Sequence, residues 1–161
     1  MDETELYQFL AEHNIDYQRV EHPAVFTCAE SEIHRPSLHA VSTKNLFLCN
    51  KKGQHFYLVV TACEKTINFD HLVQQLNVRK LKFGSEENLE RLLGVTRGSV
   101  TIMGLVNDAE HQVELWVDAG IWNQETFLCH PLVNTATLII SKQSIQRFFD
   151  TTGHTLHLFG A

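Results

Sequence analysis

Two apolar runs at 45–49 and 56–60, separated by Lys51-Lys52-Gly53, constrain this chain more than any other feature. Each is strand-sized, and the glycine-bearing turn between them folds the pair into a β-hairpin, with strands at 44–50 and 55–61. They are also the longest candidates for a membrane segment, and neither approaches the roughly 20 apolar residues that crossing a bilayer requires. The chain of 161 residues suits one compact domain over 1–161. Its 43% hydrophobic and 20% charged residues are the balance of an ordinary globular protein. The opening Met1-Asp2-Glu3 lacks the basic-then-apolar pattern of a secretory signal, so a cytoplasmic location is expected.

Around the hairpin, helical and strand signals mix. Leu6, Phe9 and Leu10 at helical spacing predict an amphipathic helix over 3–13. Ile15, Tyr17 and Val20 alternate, giving a strand over 15–21 that His22-Pro23 breaks. Thr27-Cys28-Ala29-Glu30 has the form of a capping box, opening a helix that stops before Pro36, and 39–43 reads as extended. A helix is expected over 68–76, with Asn68 or Asp70 near its cap. Ser85 caps another that runs to Leu93, and Gly94 sits at its C-terminal cap. Strands are expected at 100–106, 113–117, 126–129 and 136–140, with Asn107-Asp108 turning between the first two. Ser141 then caps a helix carrying Ile145, Phe148 and Phe149, and a short strand follows at 155–159. Without strict βαβ alternation, the fold class is α/β or α+β, with a mixed, largely antiparallel sheet flanked by helices. No glycine fingerprint of a dinucleotide or P-loop site follows a strand.

The formal net charge is −6, the wrong sign for gripping a long nucleic-acid duplex, so DNA is not an expected partner; nor, with no apolar run of membrane length, is a membrane. Contact with one end of an RNA needs only a few local cations. Lys51 with Lys52, Arg79 with Lys80 and Lys82, and Arg91 with Arg97 are candidates, and scattered solvated charge explains them equally well. Cysteines at 28, 49, 63 and 129 have neither metal-knuckle nor dithiol spacing and read as reduced core residues. The ten histidines are dispersed, so no metal or other cofactor is assigned.

Three segments can carry chemistry. In Thr43-Lys44-Asn45-Leu46-Phe47-Leu48, a lysine opens an apolar strand. Pointing inward it costs solvation unless a pocket uses the ammonium on a carbonyl, carboxylate or phosphate; otherwise its stem packs while the charge reaches water. In Gly94-Val95-Thr96-Arg97-Gly98-Ser99-Val100-Thr101, two glycines and several hydroxyls either present backbone N–H groups to a ligand oxygen or form an ordinary helix-ending turn. In His130-Pro131-Leu132-Val133-Asn134-Thr135-Ala136-Thr137, a histidine, an amide and hydroxyls either line a pocket or satisfy a loop. No serine elbow or paired carboxylate accompanies them.

In order and spacing, these segments resemble the prolyl-tRNA editing family, whose free-standing bacterial members are Ala-tRNA(Pro) deacylases. That family is related to the YbaK-type deacylases and to the editing domain inserted in some prolyl-tRNA synthetases. The resemblance also takes in His22-Pro23-Ala24-Val25-Phe26-Thr27, Lys82-Phe83-Gly84-Ser85 and Leu105-Val106-Asn107-Asp108, and so spans nearly the whole chain.

It implies metal-independent hydrolysis of the ester that joins an amino acid to the terminal ribose of tRNA. Lys44 would contact the substrate and a water would attack. The implied pocket draws on 98–104 and 130–137, with Asn45, Gly98, Ser99, Thr101, Gly104, His130, Asn134 and Thr135 against the substrate and Phe26 and Leu46 as neighbours. The implied partner is the tRNA acceptor end carrying a small amino acid, with prolyl-tRNA synthetase as a further candidate. Relatives carry Gly-x-x-x-Pro where this chain has Gly98-Ser99-Val100-Thr101-Ile102. Met103-Gly104 replaces a more aromatic stretch, and Arg97 stands where proline is common. The size of the amino acid removed is therefore open: serine, threonine, cysteine or a non-protein residue are alternatives to alanine. A non-catalytic module binding tRNA or synthetase is the reading from another class.

Overall fold

The computed structural model describes residues 1–27, 29–30 and 42–160. Two sheets face each other. The larger contains β2 (Thr43–Asn50), β3 (Phe56–Ala62), β4 (Leu81–Phe83), β5 (Val113–Asp118) and β8 (Leu156–Phe159), in the order β4-β2-β3-β5-β8. The smaller is β1 (Gln18–Glu21), β7 (Ala136–Ser141) and β6 (Thr126–Cys129), in that order and antiparallel throughout. The β2–β3 hairpin pairs Lys44 with Thr61 and Cys49 with Phe56, while β3–β5 and β5–β8 run parallel, so the architecture is mixed and largely antiparallel.

The reason β3 takes the centre is its continuous apolar sequence, which suits a strand covered on both faces. Leu58 and Val60 join the main core with Leu6 and Leu10 of α1 (Glu3–Glu12), Leu92 and Leu93 of α3 (Glu86–Leu93), and Phe148 and Phe149 of α5 (Lys142–Thr152). On the opposite face, Tyr57 and Val59 pack with Leu48 beneath Leu72 and Leu76 of α2 (Phe69–Leu76). Helix starts follow local chemistry: the side chains of Asp2, Asn68, Ser85 and Ser141 each accept a backbone N–H from the first turn. Gly94 ends α3 at φ 66°, and the side chain of Asn107 caps the Leu93 carbonyl at 2.9 Å.

Three expectations are corrected. Residues 100–106 do not form a strand: Arg97–Ser99 and Ile102–Asn107 are 3-10 turns. The Thr101 hydroxyl accepts the Met103 N–H, folding the backbone back, and a Cβ on Gly104 would stand 3.0 Å from Leu93, so the stretch packs as a close coil against α3. Asn107-Asp108 accordingly ends that coil instead of joining two strands. Cys63 is disulfide-bonded, at the solvent-accessible edge beyond β3, whereas Cys49 and Cys129 are free and buried. Two short elements carried no clear pattern, β4 and α4 (Ala119–Trp122). At the expected capping box, Glu30 N–H does donate to the Thr27 hydroxyl at 3.1 Å, and the Glu30 carboxylate accepts from Phe26 N–H at 3.0 Å. The rest of that helix and the extended stretch up to residue 41 lie outside the described residues. Among those described, no helix is long and apolar enough to cross a membrane.

Candidate active site

At the Thr43 end of β2, where burial gives way to partial exposure, the chain opens into a cavity of about 130 Å³. Lys44 and Asn45 come to it from β2, Arg97, Gly98 and Val100 from the coil after α3, His130 from the end of β6, and Val25 and Phe26 from the segment after β1. Segments far apart in sequence thus meet because the two sheets meet here. The hydroxyl of Thr43 donates to the Leu128 carbonyl at 3.3 Å, tying β2 to β6. The hydroxyl of Thr101 donates to the His130 carbonyl at 2.6 Å, tying the glycine coil to the histidine segment. The third side is held by Asn134, whose amide donates to the Val25 carbonyl at 2.9 Å while Val25 N–H donates to the Asn134 carbonyl at 3.2 Å.

The Lys44 ammonium makes no hydrogen bond or ion pair with any described residue. Lys44 is half-buried as a residue and lines the cavity with its ammonium unpaired, open to a ligand oxygen. His130 presents a different face. Its Nδ1 lies 3.1 Å from the Ala136 carbonyl, which only accepts, so Nδ1 carries the proton and Nε2 keeps its lone pair. Burial holds the imidazole below its ordinary pKa, and the neighbouring His22 pushes the same way, so the neutral form is favoured. The His22 ring is 6.4 Å from that of His130, and its Nε2 is 2.7 Å from the Thr137 hydroxyl.

Beside the main cavity lies a smaller one of about 30 Å³, walled by Ser42, Asn45, His130 and Thr137 among others. The Ser42 Oγ and Asn45 Oδ1 are both buried without a hydrogen-bond partner among the described residues. Buried polar atoms are nearly always paired, and this volume is about that of one water. No sequence motif marks such orphaned atoms, and Ser42 was not singled out by its surroundings in the chain.

The other sequence candidates are placed as follows. Leu46 lines an adjoining groove. Ser99 and Thr101 are buried, Gly104 packs on Leu93, and exposed Thr135 offers its carbonyl to His22 N–H. Asn134 braces the wall: a Cβ on Gly98 would stand 2.9 Å from the Phe26 ring and 3.5 Å from the Asn134 amide. Ile102 lies in the core, whereas Arg97 stands at the cavity, 3.5 Å from Glu86. Cys63 and Thr43 also reach the cavity wall and were not predicted there. Among the described residues, no group of three or more His, Cys, Asp or Glu side chains is placed to hold a metal ion.

The scaffold is that of the YbaK-like editing domains, and the class it defines is the aminoacyl-tRNA deacylases. The profile of the aminoacyl-tRNA editing domain matches residues 22–148, and the chain belongs to that family. It is 32% identical over 146 residues to the prolyl-tRNA editing protein ProX of Acetoanaerobium sticklandii, covering 91% of this chain and 89% of ProX. It is 35% identical over 153 residues to the prolyl-tRNA synthetase associated domain-containing protein 1 of Danio rerio, covering 94% and 83%. A solved protein proposed to be a trans-editing enzyme for prolyl-tRNA synthetase shares the fold, with a TM-score of 0.68 at 14% identity and coverage of 100% and 98%.

Proposed function

We propose that this enzyme hydrolyses the ester between a small amino acid and the terminal ribose of tRNA, and that alanine misattached to tRNA(Pro) is its substrate. The observation that carries the reading is the unpartnered Lys44 ammonium in a cavity of about 130 Å³ that Gly98 and His130 also wall. That volume is roughly four waters at about 30 Å³ each, room for a few heavy atoms. In the reaction, water attacks the ester carbonyl carbon and the carbonyl oxygen becomes an oxyanion; as the oxyanion collapses to a carboxyl group, the carbon–oxygen bond to the ribose breaks and the ribose oxygen takes the proton that the attacking water gives up. Lys44 stabilises the oxyanion, and a water held against Ser42 and Asn45 satisfies their orphaned oxygens while standing on the His130 side of the cavity. An aminoacyl ester is already activated, so positioning and charge suffice without a covalent intermediate.

The biological logic follows from selectivity. A synthetase pocket shaped for proline rejects smaller alanine weakly, because missing methylenes are worth only about 1–3 kcal/mol. A second site too small for proline removes the error. The departure at Ile102 falls in the core, so the alternative amino acids rest on Arg97, the unexpected residue that reaches the cavity. Deacylation of a panel of charged tRNAs tests both: alanine is expected to be released fastest. Preference for serine, threonine or cysteine overturns the substrate, and failure to hydrolyse any of them leaves a non-catalytic tRNA- or synthetase-binding module.

A further inference from the structure

Along the outer edge of the larger sheet, three features sit in a row. The cavity adjoins a groove of about 410 Å³, and the two share Asn45, Arg97 and Val100. The groove is walled by Phe83 of edge strand β4, an aromatic left 63% exposed with its ring centroid 5.6 Å from that of Phe69. Past the start of β4, Lys51 and Lys52 of the hairpin turn converge with Arg79 and Lys80 around a single concavity. These cations are far apart in sequence, all are exposed, and none forms an ion pair with a described residue, in a chain whose net charge is −6. The carboxylate in the row is that of Glu86, which lies beside Arg97 in the groove. With about 3.3 Å per strand residue, the end of β2 at Asn50, where the turn bearing Lys51 begins, stands about 20 Å from Lys44.

We propose that this edge is the track for the unpaired 3′ strand of an RNA, with a base stacked on Phe83 and the phosphates beyond it held by Lys51, Lys52, Arg79 and Lys80. The inference rests on the deacylase reading for the direction of the strand, with its aminoacylated end in the cavity. An aromatic platform continuous with a basic groove is how single strands are held without reading sequence: the ring takes any base face and the cations follow the backbone. Segregating the cations at one concavity also explains how an acidic protein meets a polyanion, since only the local potential counts at contact.

The test measures binding, by fluorescence anisotropy, of an uncharged RNA hairpin ending in a short unpaired 3′ strand. The RNA carries no amino acid, so the result is independent of hydrolysis. Replacing Lys51, Lys52, Arg79 and Lys80 with Gln is expected to lower the slope of log affinity against log salt by about 3, at roughly 0.7–0.9 per lost phosphate contact. Phe83→Ala is expected to weaken binding about tenfold without changing that slope, and Phe83→Trp to restore it. All five side chains are exposed, and circular dichroism confirms that each variant is folded. If the fourfold variant does not fold, the Lys51/Lys52 and Arg79/Lys80 pairs, replaced separately, are each expected to lower the slope by about half as much. Unchanged affinity and slope overturn the proposal. So does displacement of the RNA by poly-glutamate at equal charge, which makes the occupant an acidic polypeptide. Absence of hydrolysis with this binding pattern intact sinks the deacylase reading alone. Hydrolysis by the wild type, with binding indifferent to these residues, sinks the track alone.

Discussion

Two polar clusters in this protein contrast in one respect, whether their atoms are satisfied. Around Asp108, everything is. Its carboxylate accepts from Gln112 N–H, Val113 N–H and His154 Nε2, each at 2.9 Å, and the Asp108 and His154 side chains are almost wholly buried. Burial raises the Asp108 pKa, but the hydrogen bonds from His154 and the two amides outweigh it and hold the carboxyl below its ordinary value. Around Lys44, by contrast, an ammonium and two buried oxygens are left open beside cavities. A closed polar cluster fastens the fold, joining the coil before β5 to the turn before β8. An open one is a place for something not part of the chain.

That contrast is broken or sharpened by four measurements. The largest effect is expected from Asp108→Ala. It strands buried His154 and two amide N–H groups and should cost about 3–5 kcal/mol in urea denaturation, with activity per folded molecule retained. A large loss of activity in the folded fraction would erase the distinction between the clusters. Lys44→Ala should do the reverse, lowering kcat/KM about 10²–10³-fold while denaturation is little changed. Lys44→Arg should not rescue it, because a planar fork does not replace a compact ammonium.

The third measurement is a pH profile of kcat/KM. His130 has its folded pKa below the ordinary value, so its neutral form is complete above about 6.5 and is lost only as pH falls through the lower folded pKa. If the reaction needs His130 neutral, activity should be level above about 6.5 and decline on the acid side with a midpoint beneath it; a midpoint above that value means that another group sets the profile. By the same sign, the contribution of Asp108 is present above about 3.9 and disappears as pH falls through its depressed pKa, so acid unfolding should come later than loss of activity. Smallest is Lys65→Ala, which removes the 2.6 Å bond from a half-exposed ammonium to buried Asp118; the carboxylate keeps the Thr61 hydroxyl and Gly120 N–H, so the cost should be about 1–2 kcal/mol, with activity unchanged.

Local chemistry was legible in the sequence where a residue acts on its own turn. Asn68, Ser85, Gly94 and Ser141 mark helix ends because a side-chain oxygen or a positive φ is needed there and nowhere else nearby. The stretch after Gly98 was misread because Val100, Ile102 and Leu105 have the same apolar character in a buried coil as in a strand. What decides between them is the Thr101 hydroxyl and the close approach of Gly104 to Leu93. Nor does the pattern reveal that β1 joins β7 in a separate sheet, since that pairing closes more than a hundred residues of chain. At the cavity, Lys44 read alone was more readily a surface lysine, and its meeting with Gly98 and His130 is a property of three dimensions. The bonding state of Cys63 was likewise invisible from its apolar neighbours.

The bond from Thr101 to the His130 carbonyl, with those between Asn134 and Val25, has a kinetic corollary. Walls cross-braced by the chain itself hold their spacing before anything arrives, so the calibre of the opening is set in advance. On the proposed reading, such a rigid gauge would turn away an oversized amino acid at the threshold. Rejected substrates should then differ from accepted ones mainly in how weakly they are admitted, and much less in how slowly they are cut once inside.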